Sequence, residues 1–278
     1  NKRWLNMHRT PLFTSALLQE MSHLLVPRAR MQVPFNRTGM TAKEAEVFKQ
    51  RSKLKATVFI PLLNYGNKAC ILYTLRTDKV STHANEISFP GGHADHTDQS
   101  VLHSALREFH EELGVHFRFS VDNQQVAQQL HVSTDSDDST AIIKSQPFMS
   151  NSNEPGVNAL DLKILGSLFD SVPSKYGTSV QPIVGFVKLS KLHEIKKSDL
   201  LQHCLHPDPH EVAKVFCVPI EELTNPRNQK KELSPTRGAL VRYTVPSSPY
   251  GDIWGLTGYL TQQLINHVLI PAMRNQLR

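Results

Sequence analysis

Residues 107–114 read REFHEELG and bring three glutamates, Glu108, Glu111 and Glu112, close together in the chain. On an α-helix, residues three or four positions apart share one face, so these carboxylates fall within an arc of about 100°. Like charges at such spacings destabilise a helix by about 0.2–0.5 kcal/mol per pair. The stretch therefore predicts a helix whose exposed acidic side is either simply solvated or holds a cation. The opposite side is apolar and would be buried; it contains Leu102, Leu106, Phe109 and Leu113.

A double glycine and a polar loop precede this helix, and the whole unit runs from Phe89 to Val115 as FPGGHADHTDQSVLHSALREFHEELGV. Gly91 and Gly92 have no Cβ and let the backbone approach a ligand closely. Converging carboxylates raise one another's pKa unless a cation lies between them, and hard oxygen ligands suit Mg²⁺ or Mn²⁺. The unit therefore predicts a divalent metal site that faces phosphate. Arg107 would orient a glutamate or contact that phosphate, unless it forms only a surface ion pair.

This unit resembles the Nudix box, G-x(5)-E-x(7)-R-E-U-x-E-E-x-G-U, in which U is aliphatic. The midpoint departs from that pattern, because counting forward from Gly92 reaches Asp98 and counting back from Arg107 reaches Gln99. One residue is thus inserted and the expected glutamate is absent. The matching positions are Gly92, Arg107, Glu108, Phe109 (aromatic where an aliphatic residue is usual), Glu111, Glu112, Gly114 and Val115.

The residues upstream of the box resemble those of one branch of the Nudix hydrolases, the coenzyme A diphosphatases. That branch carries L-L-T-x-R-[S/A]-x(3)-R-x(3)-G-x(3)-F-P-G-G, and residues 72–92 read LYTLRTDKVSTHANEISFPGG. Tyr73, Ser81 and Asn85 depart from it, and Ser81 replaces an arginine whose positive charge would suit a phosphate. The resemblance implies that the substrate is bound by Arg76, Thr77, Phe89, Gly91 and Gly92.

The resemblance implies a fold of the α/β class, an α/β/α sandwich around a mixed β-sheet. It also implies metal ligation of Mg²⁺ or Mn²⁺ by Glu108, Glu111 and Glu112 together with the carbonyl of Gly92. Water would attack one phosphorus, and coenzyme A or acyl-CoA would give 3′,5′-ADP and (acyl-)4′-phosphopantetheine. A carboxylate outside the box would accept the proton from that water. Glu211 and Glu86 are the candidates, and each is equally consistent with an ordinary surface acid. The expected catalytic residues are Glu108, Glu111, Glu112, Arg107 and Glu211.

Two alternatives to a coenzyme A diphosphatase stay open. The absent second arginine allows a Nudix hydrolase of another substrate, such as NADH, a nucleotide or an RNA cap. A catalytically silent Nudix domain that binds a nucleotide or a partner protein is the other alternative. The intact glutamate set argues against a silent domain, because such a domain has no need to hold like charges together.

The order of the predicted elements favours one mixed sheet covered by helices. Two apolar strands at 55–63 and 69–76 flank a turn at 64–67, and a short strand at 86–92 precedes the acidic helix. Later residues predict strands at 162–168 and 180–189, a strand leading into a helix at 210–223, and a final helix at 253–269. The polar stretch from about 120 to 160 is predicted to be a flexible surface insertion within a domain of residues 51–278.

The overall charge of +6 is concentrated near the start of the chain, where residues 1–37 hold six Lys and Arg against one glutamate. Residues 1–50 are therefore predicted to be a basic extension with a short helix at 41–51. The extension is either a mitochondrial transit peptide or a helix that packs on the domain. Residues 276–278 are not a peroxisomal address, so the expected location is mitochondrial or otherwise cytoplasmic.

The rest of the composition limits the partners of the protein. The sequence contains no run of eighteen apolar residues and therefore predicts no membrane span. Outside the basic residues 1–37, the chain is too close to neutral to predict a nucleic-acid-binding surface. The expected partner is a small nucleoside diphosphate derivative. Cys70, Cys204 and Cys217 are not spaced as metal ligands and predict reduced structural thiols in an intracellular protein.

Overall fold

A computed structural model of the chain describes most of the residues on which these predictions depend. Ser81, Cys204 and the greater part of the predicted insertion, 132–159, lie outside the described residues. The described residues are 12–31, 33, 40–51, 55–80, 83–131, 160–189, 205–234 and 237–276.

Nine strands of the described residues form one mixed sheet. Its main path has the order β3-β2-β1-β8-β6-β5, while β4 pairs with β1, β7 with β8 and β9 with β2. The β1–β8 and β5–β6 pairs are parallel, and the other pairs are antiparallel. The strands are β1 (Lys55–Tyr65), β2 (Lys68–Arg76), β3 (Ile87–Ser88), β4 (Gly91–His93), β5 (Phe117–Ser120), β6 (Leu160–Ser167), β7 (Val172–Pro173), β8 (Ser179–Lys188) and β9 (Val212–Pro219).

The turn between β1 and β2 confirms the predicted hairpin. Tyr65 pairs with Lys68, which leaves Gly66 and Asn67 as a two-residue loop. Both have positive φ, 57° and 62° respectively. Two consecutive positive φ angles are the geometry that matches the twist of a tight antiparallel hairpin.

Helices cover both faces of the sheet. The helices are α1 (Ser15–Arg28), α2 (Ala42–Arg51), α3 (Val101–Leu113), α4 (Gln124–Gln129), α5 (Ile220–Thr224), α6 (Gly255–Leu264) and α7 (Ile270–Asn275), with a π-helical turn at Ile265–Leu269. A 3₁₀ turn (Pro226–Asn228) leads into a separate hairpin of β10 (Gln229–Ser234) and β11 (Gly238–Tyr243), which the sequence analysis did not predict.

The central strand β2 shows how one sheet serves two cores. Ile71 and Tyr73 pack in a cluster that contains α1 and the α6–α7 segment, whereas Cys70 and Leu72 pack in a second cluster with α3 and α4. Successive side chains of a strand point to opposite faces, so a strand buried on both faces is apolar throughout. The predicted α/β/α sandwich around a mixed sheet is confirmed.

The first helix belongs to the domain rather than to an extension. Its side chains Leu17, Met21 and Leu25 are almost completely buried in the first cluster, and the Ser22 hydroxyl donates to the Leu165 carbonyl at 2.8 Å. Of the two alternatives for this basic stretch, the structure shows Ser15–Arg28 as a helix packed on the domain. A domain boundary at residue 50 therefore cuts through the core.

The part of the predicted insertion that the structure describes, up to residue 131, is packed on the domain. Residues 124–129 form α4, and Val126, Ala127 and Leu130 are buried in the second cluster. Asn123 caps this helix by accepting from the backbone N–H groups of Gln125 and Val126. The polar composition concealed three apolar residues at helical spacing, which anchor the segment from 122 to 131.

The C-terminal helix extends beyond the predicted residue 269 and changes its winding on the way. A π-helical turn at Ile265–Leu269 connects α6 to α7, next to Pro271, which has no N–H to donate. The buried hydroxyls of Tyr73 and Thr261 lie 2.9 Å apart and join α6 to β2. None of the described helices has the length and apolarity needed to cross a bilayer.

Candidate active site at the double-glycine turn

The acidic helix α3 is fixed at both ends by local capping. The Ser100 hydroxyl accepts from the His103 backbone N–H at 3.1 Å, and Gly114 ends the helix in the left-handed conformation with φ of 60°. The predicted apolar side is confirmed, since each of its four residues is at most 1% exposed: Leu102, Leu106, Phe109 and Leu113.

The double glycine lies against this helix. Gly91 N–H donates to Glu112 Oε1 at 3.3 Å, and a Cβ on Gly91 would lie 2.2 Å from the Thr57 carbonyl oxygen of β1. A Cβ on Gly92 would lie 2.5 Å from Glu108 Oε1. At Gly91 the neighbouring backbone of β1 leaves no room for a Cβ, and the space above Gly92 contains the Glu108 carboxylate.

Glu112 is buried rather than exposed, which corrects the prediction of a solvent-facing acidic side. It is 1% exposed, because α3 packs between the glycine turn and the residues that precede β9. Burial raises the pKa of Glu112 to about 8, further raised by Glu108 and Glu211 and opposed by the Gly91 hydrogen bond and by Arg76. Its Oε2 is buried and makes no hydrogen bond to the described residues.

Arg107 holds the outer part of the site together. Its Nε and Nη2 donate to the two oxygens of Asp98 at 3.0 and 3.1 Å, and Nη2 also donates to the His93 carbonyl at 3.2 Å. Its Nη1 lies 3.0 Å from Glu108 Oε1 and 2.8 Å from Glu111 Oε2. Hydrogen bonds to Asp98 raise the pKa of Arg107, so the guanidinium is a permanent positive charge. Of the roles expected for Arg107, these contacts favour that of orienting glutamates, which stays a prediction.

Asp98 is the residue whose importance the sequence analysis missed. It is reached by the forward count from Gly92, where the box pattern expects a glutamate, and its side chain is 3% exposed. Burial raises the pKa of Asp98, but the hydrogen bonds from Arg107, the Asp95 backbone and Ser104, with the charge of Arg107, together outweigh it, and the net shift is downward. The sequence did contain a signal for this residue. Asp98 stands where the box pattern, counted forward from Gly92, has a glutamate, and its side chain has the same carboxylate and one methylene fewer.

The three glutamates of α3 have unequal surroundings. Glu111 is 55% exposed, Glu108 is 13% exposed and Glu112 is buried. Burial raises the pKa of Glu108, and the negative charges of Glu111 and Glu211 raise it further against the opposing effect of Arg107. Among the described residues, no three acidic, histidine or cysteine side chains converge closely enough to hold a metal ion as they stand. Arg107 instead contacts Glu108 and Glu111.

A short segment before β9 closes the site from the other side. His206 N–H donates to the Leu113 carbonyl at 2.8 Å, and Asp208 N–H donates to the Glu112 carbonyl at 3.0 Å. The segment ends at Glu211, whose exposed carboxylate acts electrostatically on Glu108 and Glu112. The other candidate proton acceptor, Glu86, is bound to His83 Nδ1 at 2.8 Å.

The residues expected to bind substrate differ in their accessibility. Arg76 is partly exposed, and its Nη1 lies 3.7 Å from Glu112 Oε1. The ring of Phe89 is buried and stacks on Tyr73 at 5.0 Å between centroids, so it is part of the core. The Thr77 side chain is also buried and bonds to the backbone before β9. The structure thus brings Arg76, but not the side chains of Thr77 and Phe89, to the open side of the turn.

Comparison with known proteins supports the resemblance at two levels. The NUDIX domain family matches residues 53–143, which include the glycine turn and α3. The chain is 29% identical over 210 residues to the human protein named mitochondrial coenzyme A diphosphatase NUDT8, covering 74% of this chain and 66% of that protein. The chain therefore resembles the Nudix hydrolases, and the NUDIX match covers residues 53–143. The mouse protein of the same name is also 29% identical to this chain over 210 residues, covering 74% of each of the two chains. A mouse protein named peroxisomal coenzyme A diphosphatase NUDT7 is 42% identical over 65 residues, 23% of this chain and 28% of that protein.

These matches agree with the prediction of a Nudix-type hydrolase; they span 66% of the human relative, less than two thirds of its length, and 74% of the mouse one. The side chains of the Nudix site also fit a divalent ion chemically. Glu108 and Glu112 are oxygen donors whose ionisation is opposed by burial and mutual repulsion. A hard divalent cation would stabilise the ionised carboxylates against both burial and mutual repulsion. The buried Glu112 Oε2, which has no hydrogen-bond partner among the described residues, is a donor suited to such an ion.

Proposed function

We propose that this Nudix hydrolase cleaves the diphosphate of coenzyme A or an acyl-CoA, giving 3′,5′-ADP and (acyl-)4′-phosphopantetheine. The observation that carries the proposal is the position of Arg76. This residue of the coenzyme A signature lies beside Glu112 at the glycine turn, where a diphosphate would meet both the cation site and a guanidinium. The printed names of the human and mouse relatives support the same substrate.

The donors of Arg76 suit a phosphate group. Its 3.7 Å separation from Glu112 is longer than a hydrogen bond, and its Nε is buried with no hydrogen-bond partner in the described residues. A guanidinium presents its donors in a planar fork that matches phosphate oxygens. Arg76 would therefore bind and orient the diphosphate without giving up an existing strong bond.

The glutamates of α3 and the Gly92 carbonyl would hold Mg²⁺ or Mn²⁺. Such an ion, when bound, acidifies a coordinated water and offsets phosphate charge. Glu108 and Glu111 would exchange their contacts with Arg107 for the ion, while Asp98 keeps the guanidinium in place. Glu211 would accept the proton from the attacking water, since its exposed carboxylate acts on the same carboxylates and has no hydrogen bond or ion pair to break within the residues that the structure describes.

A substrate panel with product identification tests the proposal. Purified full-length protein with Mg²⁺ or Mn²⁺ should release 3′,5′-ADP from coenzyme A or its thioesters, and Glu112→Gln should abolish the release. Glu44→Gln, at an exposed glutamate of α2, is the matched control and should retain activity. No 3′,5′-ADP from any coenzyme A form with either metal would exclude this substrate class.

One observation favours a second candidate, a Nudix hydrolase of another nucleoside diphosphate derivative. Ser81 stands where the coenzyme A signature has its second arginine, so one phosphate-binding charge is missing. NADH, nucleoside triphosphates and capped RNA therefore belong in the same panel. A kcat/KM for one of these above that for every coenzyme A form would support this candidate instead.

We also propose a mitochondrial location, supported by the printed names of the NUDT8 relatives and by the basic residues at the start of the chain. Because α1 is packed in the core, a targeting segment would have to precede it. Microscopy of the full-length protein with a C-terminal fluorescent tag tests the location. Accumulation outside mitochondria would contradict it.

A further inference from the structure

Thr77 makes two hydrogen bonds to the segment that carries Glu211. Its backbone N–H donates to the Glu211 carbonyl at 3.0 Å, and its hydroxyl donates to the His210 carbonyl at 2.8 Å. The residue is 6% exposed, so its hydroxyl is directed into the protein and away from substrate. These bonds connect the end of β2 to the residues just before β9.

The segment 206–211 is a compact turn that is closed by its own hydrogen bonds and attached to both α3 and β2. Two of its N–H groups donate to the last carbonyls of α3, and the turn is closed by Glu211 N–H and Val212 N–H, which both donate to the Asp208 carbonyl at 3.1 and 2.8 Å. The Asp208 side chain also accepts from the His210 N–H at 2.8 Å. Thr77 supplies the attachment on the β2 side.

An irregularity in the β2–β9 ladder makes that attachment specific. Leu75 is opposite Lys214, whereas Arg76 is opposite Val212, so Ala213 is an extra residue with no partner in the register. Side chains alternate along a strand, and one extra residue moves those beyond it to the other face. The bulge therefore decides the side on which Glu211 emerges, and Thr77 bonds immediately beyond it.

Glu211 depends on its backbone for its position. The residue is exposed, and within the described part of the chain its carboxylate makes no hydrogen bond or ion pair. A shift of the turn would move the carboxylate away from Glu108 and Glu112 directly.

We infer that Thr77 is a positioning residue that holds the Glu211 carboxylate beside Glu108 and Glu112 through its bonds to the 210–211 backbone. The inference rests on the proposed role of Glu211. This role differs from the substrate contact expected of Thr77 from the sequence, because the Thr77 hydroxyl already donates its proton to the His210 carbonyl. A serine retains this hydroxyl, whereas a valine retains the branched shape and loses the bond.

Kinetics of two Thr77 variants test the inference on a hydrolysed diphosphate substrate. Thr77→Val should lower kcat by about ten- to hundredfold, as a displaced catalytic group does, with KM changed by less than about twofold. Thr77→Ser should restore most of kcat. Ser22→Ala is the matched control, since the Ser22 hydroxyl is 5% exposed and donates to a carbonyl at the same 2.8 Å, far from the site. A Ser22→Ala loss of kcat equal to that of Thr77→Val would overturn the inference.

A double-mutant cycle separates positioning from general damage. If Thr77 acts through Glu211, Thr77→Val should have little further effect on kcat in a Glu211→Gln background. Equal losses in both backgrounds would overturn the inference. A raised KM with unchanged kcat would do so too, because it would show direct substrate contact.

Hydrogen–deuterium exchange distinguishes this inference from the proposed function. Thr77→Val should speed exchange of the amides of residues 206–212, while Thr77→Ser should not. This measurement needs no substrate, so an inactive wild-type protein would defeat the proposed function and leave the positioning testable. Unchanged exchange in the segment would overturn the positioning.

Discussion

Asp98 accepts two hydrogen bonds from Arg107, of 3.0 and 3.1 Å, and its side chain is 3% exposed. This pair fixes the guanidinium that reaches Glu108 and Glu111, so a buried aspartate outside the acidic helix organises the helix's carboxylates. An amide at this position would keep the shape and lose the charge that the guanidinium needs.

Asp98→Asn should therefore reduce both stability and activity. We expect a loss of about 1–3 kcal/mol in the free energy of unfolding, the usual consequence of leaving a buried charged group poorly satisfied. kcat should fall by about tenfold, because the Arg107 guanidinium beside the glutamates loses the partner that fixes its position. Urea unfolding and steady-state kinetics measure the two effects. Asp95→Asn, at an exposed acid of the same loop, should change neither, and a wild-type kcat in Asp98→Asn would contradict the prediction.

The raised pKa of Glu112 predicts how the metal-free protein responds to pH. The folded state retains a proton up to about pH 8, whereas the unfolded chain releases it near pH 4.5. Over that window the folded state binds more protons, so stability should fall as pH rises. With EDTA present, we expect Tm to decrease by at least about 3 °C as the pH rises through this window. That is the shift that a change of ~1 kcal/mol in the free energy of unfolding produces in a chain of this size.

Glu112→Gln should abolish most of that slope, since its amide does not ionise, while Glu111→Gln should retain it. Mg²⁺ or Mn²⁺ should raise Tm more at pH 8 than at pH 5, because protons compete with the metal for carboxylates. Calorimetric scans across this range make the measurement. An identical pH slope in Glu112→Gln and wild type would assign the effect to other groups.

The two glycines of the turn should respond differently to alanine. In Gly91→Ala the Cβ would meet the Thr57 carbonyl at 2.2 Å and the residue has φ of 154°, so the backbone must move and we expect a loss above about 2 kcal/mol. In Gly92→Ala the Cβ meets the Glu108 carboxylate, the end of a side chain that can rotate.

Gly92→Ala should therefore fold nearly normally and lose function. Its Tm should change by less than about 3 °C, while kcat falls by about tenfold or more. Thermal unfolding and kinetics of the two variants, made in parallel, test the contrast. Equal stability losses in both would show that the space above Gly92 is not reserved for Glu108.

The buried side of α1 predicts that the domain depends on this helix. Leu25→Ala should lower the free energy of unfolding by about 2–5 kcal/mol, the range for a completely buried leucine. His23→Ala, on the exposed side of the same helix, should have little effect. Urea denaturation measures both. A wild-type stability for Leu25→Ala would mean that the helix is not part of the folding unit.

Much of the fold was predictable from local patterns. The hairpin of β1 and β2 follows from two apolar runs around a glycine-containing turn, and the buried side of α3 follows from helical periodicity. The segment at 122–131 was misassigned, because Val126, Ala127 and Leu130 are few among polar neighbours. Composition averages over such a segment, whereas burial depends on individual positions.

The amino-acid sequence alone determined that three glutamates follow a double glycine on an amphipathic helix, and hence the family and the metal chemistry to expect. Tertiary structure alone decided that Glu112 is buried, that Asp98 supports Arg107, and that the bulge at Ala213 and the hydroxyl of Thr77 direct Glu211 to the site. Spacing along a helix specifies which residues share a face. Burial and pKa depend on what other elements pack against that face, and those elements range from the glycine turn, 21 positions from Glu112, to the 206–211 segment, about 100 positions away in the chain.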